Sequence, residues 1–110
     1  MSLIDIQKDV DEWVTQFKVE YFKPLEIIAT MMEEAGELAR EINNRYGPRT
    51  KKSPEDTADI SKELGDMIFN LVCMANLHNI NLDEVWKKKM DKQHGRDHNR
   101  FERKDDGDGE

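Results

Sequence analysis

The 110-residue chain has one cysteine, three prolines and six glycines, and only 7% of it is aromatic. A single cysteine excludes an intramolecular disulfide. Cys73 lies inside an apolar run with no fixed base near it, so a buried core thiol is expected rather than a nucleophile. Scarce Pro and Gly, with no alternating β-branched run, point away from a sheet. No apolar stretch is long enough to span a bilayer, and no membrane partner is expected. The N-terminus lacks a basic, apolar, small-residue signal pattern, and the cytoplasm is the expected location. A formal net charge of −7 argues against nucleic acid as a partner.

Apolar residues make up 36% of the chain and charged residues 37%. That is a modest core for one domain, and it suits an amphipathic helical protein whose subunits share apolar faces. The charge is uneven. Residues 87–104 carry eight Lys/Arg against three Asp/Glu, and residues 105–110 carry four acids. The basic segment suits either a local anionic ligand or a solvated helix end that complements the dipole. The acidic, Gly-spaced tail 105–110 is expected to be disordered, leaving residues 1–104 as the domain.

Periodicity and caps predict four helices. Ser2 is a good N-cap for a first helix reaching about Tyr21, with Ile6, Val10, Trp13, Val14 and Phe17 on one face. Pro24 suits the opening of a second helix, which carries Ile28, Met31, Ala35, Leu38 and Ile42 and stops near Tyr46-Gly47-Pro48. A basic loop with Arg45, Arg49, Lys51 and Lys52 follows. Ser53-Pro54-Glu55-Asp56 opens a third helix to about His78, apolar on nearly every side from Met67 to Leu77 and therefore expected to be central. Asn81 with Glu84 opens a fourth over Leu82 to Gln93, with Ile80 and Val85 as a hydrophobic staple and Gly95 as the stop. The predicted fold class is all-α, an antiparallel four-helix bundle completed by oligomerisation.

The chemistry lies in two segments, "EEAGELAREI" at 33–42 and "KELGDMIFNLV" at 62–72. At about 100° per residue, Glu34, Glu37 and Glu41 share one helix face, and Glu63, Asp66 and Asn70 share another. Glu34 borders the stripe of Ile27, Met31 and Leu38 and does not oppose it. Two carboxylates about 5 Å apart repel by roughly 3 kcal/mol at an effective dielectric of 20. Arg40 and Lys62 fall off the acidic faces of the wheel, so the expected neutraliser is a hard divalent cation: Mg²⁺ first, Mn²⁺ second. A di-iron bundle would require Glu-x-x-His motifs, which are absent. His78, His94 and His98 sit at a helix end or in the tail and are expected at the surface. Mg²⁺ is commonly held by a few carboxylates plus substrate phosphates, and Lys/Arg beyond residue 87 can clamp distal phosphates. The pattern points to phosphoryl chemistry.

"MMEEAGELAREI" followed by "ELGDMIFNLV" resembles the MazG-like branch of the all-α nucleoside triphosphate pyrophosphohydrolases. The family pattern, EExxE then ExxD, is matched by Glu33, Glu34, Glu37, Glu63 and Asp66, and the similarity runs from "IQKDVDEWV" to "KKKMDKQHGR". The resemblance implies Mg²⁺-dependent hydrolysis of nucleoside triphosphates, deoxynucleotides or non-standard nucleotides, at the α–β bond. Monophosphate and pyrophosphate result, and the physiological role is house-cleaning. Glu34, Glu37, Glu63 and Asp66 would be metal ligands, and Glu33 would support them or orient water. Water would attack phosphorus in line, with no protein nucleophile. Lys89 and Arg96 match the family's phosphate contacts; Gln93 stands where Asn is usual, with Lys92 as a substitute. Asn70 would meet sugar or base, or else sit at a subunit seam. Trp13, Phe17 and Trp86 would stack on a base, or else belong to the core. The resemblance also implies a homo-oligomer, dimer or tetramer. The alternative reading is a non-catalytic nucleotide-binding or helical interaction module.

Overall fold

A computed structural model describes residues 1–47, 54–96, 99–102 and 104, with 54–59 described by their backbone alone. Four helices occupy the described chain: α1 (Leu3–Val14), α2 (Pro24–Tyr46), α3 (Pro54–Leu77) and α4 (Leu82–His94). No strand occurs among the described residues, and no helix is long and apolar enough to cross a membrane. The all-α class is as predicted. The tail 105–110 lies outside the described residues.

Helix α1 starts where expected. The Asp5 N–H donates to the Ser2 hydroxyl at 3.1 Å, and the Ser2 N–H donates back to the Asp5 carboxylate at 2.9 Å. Its end is earlier than predicted, at Val14 and not near Tyr21. Thr15 Oγ1 donates to the Asp11 carbonyl at 2.7 Å and Gln16 Nε2 to the Trp13 carbonyl at 3.0 Å. Tyr21 then folds back, donating its hydroxyl to Asp11 at 2.6 Å and accepting from Asn76 of α3 at 3.0 Å. An unbroken helix would separate residues 11 and 21 by about 15 Å along its axis, so this bond requires the helix to stop.

Pro24 sits in the first turn of α2, and the Glu26 carboxylate accepts from the Lys23 N–H at 2.8 Å. Ile27, at 2% exposure, is its deepest side chain. The predicted stripe through Ile28 and Ile42 needs correction, because both are exposed. Ile28 lies about 100° round the helix from Ile27, and α3 covers only one side of α2. Helices α2 and α3 run antiparallel: Ile27 shares a cavity with Cys73, whereas Glu34 and Glu37 meet Glu63.

The cap expected at Ser53 lies outside the described residues. Helix α3 buries Val72, Cys73 and Ala75 against α1 and α2. It is central only on that side. Leu64, Ile68 and Leu71 face outward, the latter two more than half exposed at 54% and 51%. No element among the described residues covers them.

Asn81 Oδ1 caps α4, accepting from the N–H groups of Asp83 and Glu84 at 2.9 and 3.2 Å. The Gly95 N–H closes the helix on the Asp91 carbonyl at 2.9 Å. The staple residues Ile80 and Val85 both stay partly exposed, at 42% and 47%. Hydrogen bonds hold this turn instead. Gln7 of α1 donates to the Ile80 carbonyl at 2.8 Å and to Asn76 at 2.9 Å, and accepts from the Leu82 N–H at 2.9 Å. Asn79 adopts a left-handed φ of 55° in the turn, a conformation Asn tolerates.

Candidate active site

The antiparallel α2–α3 pair sets acids from separate helices against each other. One carboxylate oxygen from each of Glu34, Glu37 and Glu63 lies within 4.8 Å of the other two. Glu63 is only 6% exposed. Glu34 Oε2 and Glu63 Oε2 are buried and have no hydrogen-bond partner among the described residues. Buried carboxylate oxygens without partners are costly. The neighbouring Glu34 carboxylate, then burial, push the Glu63 carboxyl above its ordinary value, while Glu37 and Lys62 act in the opposite sense. A hard cation with oxygens at about 2.1–2.6 Å holds ligand atoms roughly 3–5 Å apart, so the all-oxygen set and its two unpartnered atoms fit such an ion.

Asp66, one turn on from Glu63, is not in that triad. Its Oδ2 accepts from Lys62 Nζ at 3.1 Å, and the same ammonium is 3.8 Å from Glu63 Oε1. The expectation that Lys62 lies off the acidic face is therefore corrected. The wheel places Cβ, but a four-carbon stem carries the charge across to position i+4. Asp66 above all holds the Lys62 ammonium above its usual pKa. Glu33 and Arg40 are exposed, and neither Glu33 nor Glu41 joins the triad.

Farther along the same helix pair, a largely apolar cavity of about 200 Å³ opens between the helices, lined by Trp13, Phe22, Ile27, Phe69, Asn70 and Cys73 and by none of the clustered acids. Asn70 Nδ2 donates to the Asp66 carbonyl at 3.1 Å, which ties this wall to the acidic face. The Trp13 ring meets the rings of Phe69 and Phe17 edge-on, at 5.9 and 4.9 Å between centroids. Burial pushes the Cys73 thiol up, in keeping with a core thiol. A larger groove of about 390 Å³ between α1 and the α3–α4 turn is lined by Gln7, Asp11 and Asn76 and holds none of the clustered acids.

Helix α4 makes its principal contact with α1. Lys89 and Lys92 are exposed on α4, Arg96 is exposed just past its end, and Lys89 Nζ donates to Gln93 at 3.1 Å. His78 Nδ1 is 2.8 Å from the Met74 carbonyl, and His94 is exposed. Arg49, Lys51, Lys52 and His98 fall outside the described residues. Sequence reasoning missed Lys62, whose i, i+4 spacing to Asp66 was the available signal. It also missed Phe22 and Phe69, whose role depends on how three helices meet.

Residues 22–101 match the MazG nucleotide pyrophosphohydrolase domain. YpjD of Bacillus subtilis (strain 168) is 48% identical over 106 residues, 96% of each chain. YvdC of the same organism is 31% identical over 98 residues, 84% of this chain and 92% of YvdC. The crystal structure of YpjD from Bacillus subtilis superposes with a TM-score of 0.75 at 47% identity, over 84% of this chain and 94% of that one. That of the Bacillus-conserved MazG protein, a nucleotide pyrophosphohydrolase, gives a TM-score of 0.71 at 42% identity, over 84% and 88%. The family match takes in α2, α3 and α4 with both acidic segments, and on that ground the chain belongs to the MazG nucleotide pyrophosphohydrolase family of enzymes.

Proposed function

We propose that the protein hydrolyses nucleoside triphosphates, deoxynucleotides or non-standard nucleotides, between the α- and β-phosphates, releasing monophosphate and pyrophosphate as a house-cleaning reaction. The observation that carries this reading is the convergence of Glu34, Glu37 and Glu63 with two buried oxygens left unpartnered. These three and Asp66 would hold Mg²⁺, with Mn²⁺ as a substitute. A bound divalent ion supplies neutralisation of phosphate charge and a more acidic water.

The chain's own residues do the rest. Burial fixes Glu63 opposite Glu34, and Glu33, exposed just before Glu34, would support the metal ligands or orient water. The cavity beside Asn70 lies about one helical turn from Asp66, so a nucleoside there keeps its α-phosphate near the carboxylates. Trp13 and Asn70 would contact that nucleoside. Lys89, Lys92 and Arg96 would take the distal phosphates. The exposed apolar side of α3 supports assembly of copies into a dimer or tetramer.

Phosphorus NMR with Mg²⁺ and a panel of ribo- and deoxyribonucleoside triphosphates tests the reading. Monophosphate plus pyrophosphate, lost with EDTA and in Glu63→Gln, is the expected result. Orthophosphate plus diphosphate overturns the bond assignment. No turnover of any triphosphate overturns the substrate class.

A further inference from the structure

The acidic face contains a cation of its own. Lys62 Nζ pairs with Asp66 at 3.1 Å and lies 3.8 Å from Glu63 Oε1. The contact is one-sided in burial: the Lys62 side chain is 67% exposed, and that of Glu63 8%. An exposed i, i+4 pair is weak, so Lys62 can leave Asp66 at little cost. Its flexible stem and three donors allow it to re-pair with any anion within reach. Meanwhile the buried Glu34 and Glu63 oxygens have no partner among the described residues, so Lys62 leaves the cluster only partly neutralised.

A divalent ion entering this cluster meets the ammonium already at Asp66, and the two positive charges repel. A triphosphate arriving with the ion brings the negative charge that the displaced ammonium lacks. We propose that Lys62 is a two-position counter-ion. It holds Asp66 in the ligand-free protein and, once a divalent cation binds, turns to the phosphates of the substrate. The inference rests on the metal-site reading above. Its consequence is coupling: Lys62 weakens binding of the metal alone and strengthens binding of the nucleotide with the metal, so each ligand promotes the other.

The test measures Mn²⁺ affinity from the electron paramagnetic resonance of unbound Mn²⁺, for wild type, Lys62→Met, Lys62→Arg and Glu63→Gln. Each protein is also titrated with the α,β-methylene analogue of the triphosphate hydrolysed fastest, at saturating Mn²⁺. Lys62→Met is expected to bind Mn²⁺ alone about 3- to 10-fold more tightly and the analogue several-fold more weakly, while Lys62→Arg stays near wild type. Mn²⁺ affinity unchanged or weakened in Lys62→Met overturns the proposal, as does tighter Mn²⁺ with unchanged analogue affinity. The Glu63→Gln arm separates the two levels. If it binds Mn²⁺ like wild type, the metal-site reading itself fails; if it loses Mn²⁺ while Lys62→Met matches wild type, only the role of Lys62 fails.

Discussion

The Asp83 carboxylate, in the first turn of α4, accepts from the backbone N–H of Leu3 at 3.0 Å, eighty positions earlier in the chain, and also from Ile4 at 3.3 Å. It acts as a second N-terminal cap on α1, supplied from another helix. Removing a helix cap costs about 0.5–2 kcal/mol. Asp83→Ala is therefore expected to lower Tm by roughly 2–16 °C in a melt followed by circular dichroism. Unchanged Tm would mean that α4 is not fastened through this residue.

Tyr21 reports the junction of α1, α2 and α3. Burial first, then the bond to Asp11, push its phenol up to about 12. A folded pKa raised above the unfolded value stabilises the protein below the unfolded value, near 10. That stability is lost as pH rises through the folded value. Absorbance at 295 nm should show a tyrosine ionising near 12, absent in Tyr21→Phe, with unfolding setting in over the same pH range.

Glu63 has the same sign of shift from a different cause. Its carboxyl is raised by Glu34 and by burial, so the metal-free protein gains stability at acid pH and loses it as pH climbs through that raised value. A cation that binds only the folded form restores stability in proportion to its concentration over Kd. Tm in EDTA is expected to fall as pH rises above the ordinary carboxyl value, and Mg²⁺ to reverse the fall. Glu63→Gln should abolish both effects.

Trp13 lines the cavity while the residue stays 55% exposed. Stacking of a base on an aromatic ring is worth about 1–3 kcal/mol. Trp13→Ala is expected to raise KM at least about five-fold. In a Trp86→Phe background, the fluorescence of Trp13 should change on adding nucleotide. Unaltered KM and emission would move the nucleoside elsewhere.

Ile68 and Leu71 are exposed on α3 beside each other in the helical repeat. If copies pack there, an Ile68→Asp, Leu71→Asp double variant should shift the species seen by light scattering toward monomer. A wild-type protein already monomeric at micromolar concentration would refute the assembly.

Much of this molecule was legible before its structure. The all-α class, the starts at Ser2, Pro24 and Asn81, and the sharing of one face by Glu34 with Glu37 all follow from relations within a turn or two of helix. Backbone geometry and short-range hydrogen bonds set these locally, so residues three or four apart suffice to read them. Three other matters belong to the tertiary structure. Helix α1 stops at Val14 to bring Tyr21 to Asp11 and Asn76. Glu34, Glu37 and Glu63 converge, whereas Asp66 goes to Lys62. Helix α4 docks on α1 through Asp83 and Gln7. A helical wheel fixes angles about one axis, but it says nothing of the distance between axes or of where a long side chain ends. Those depend on partners as much as eighty residues away, and only the folded chain brings them together.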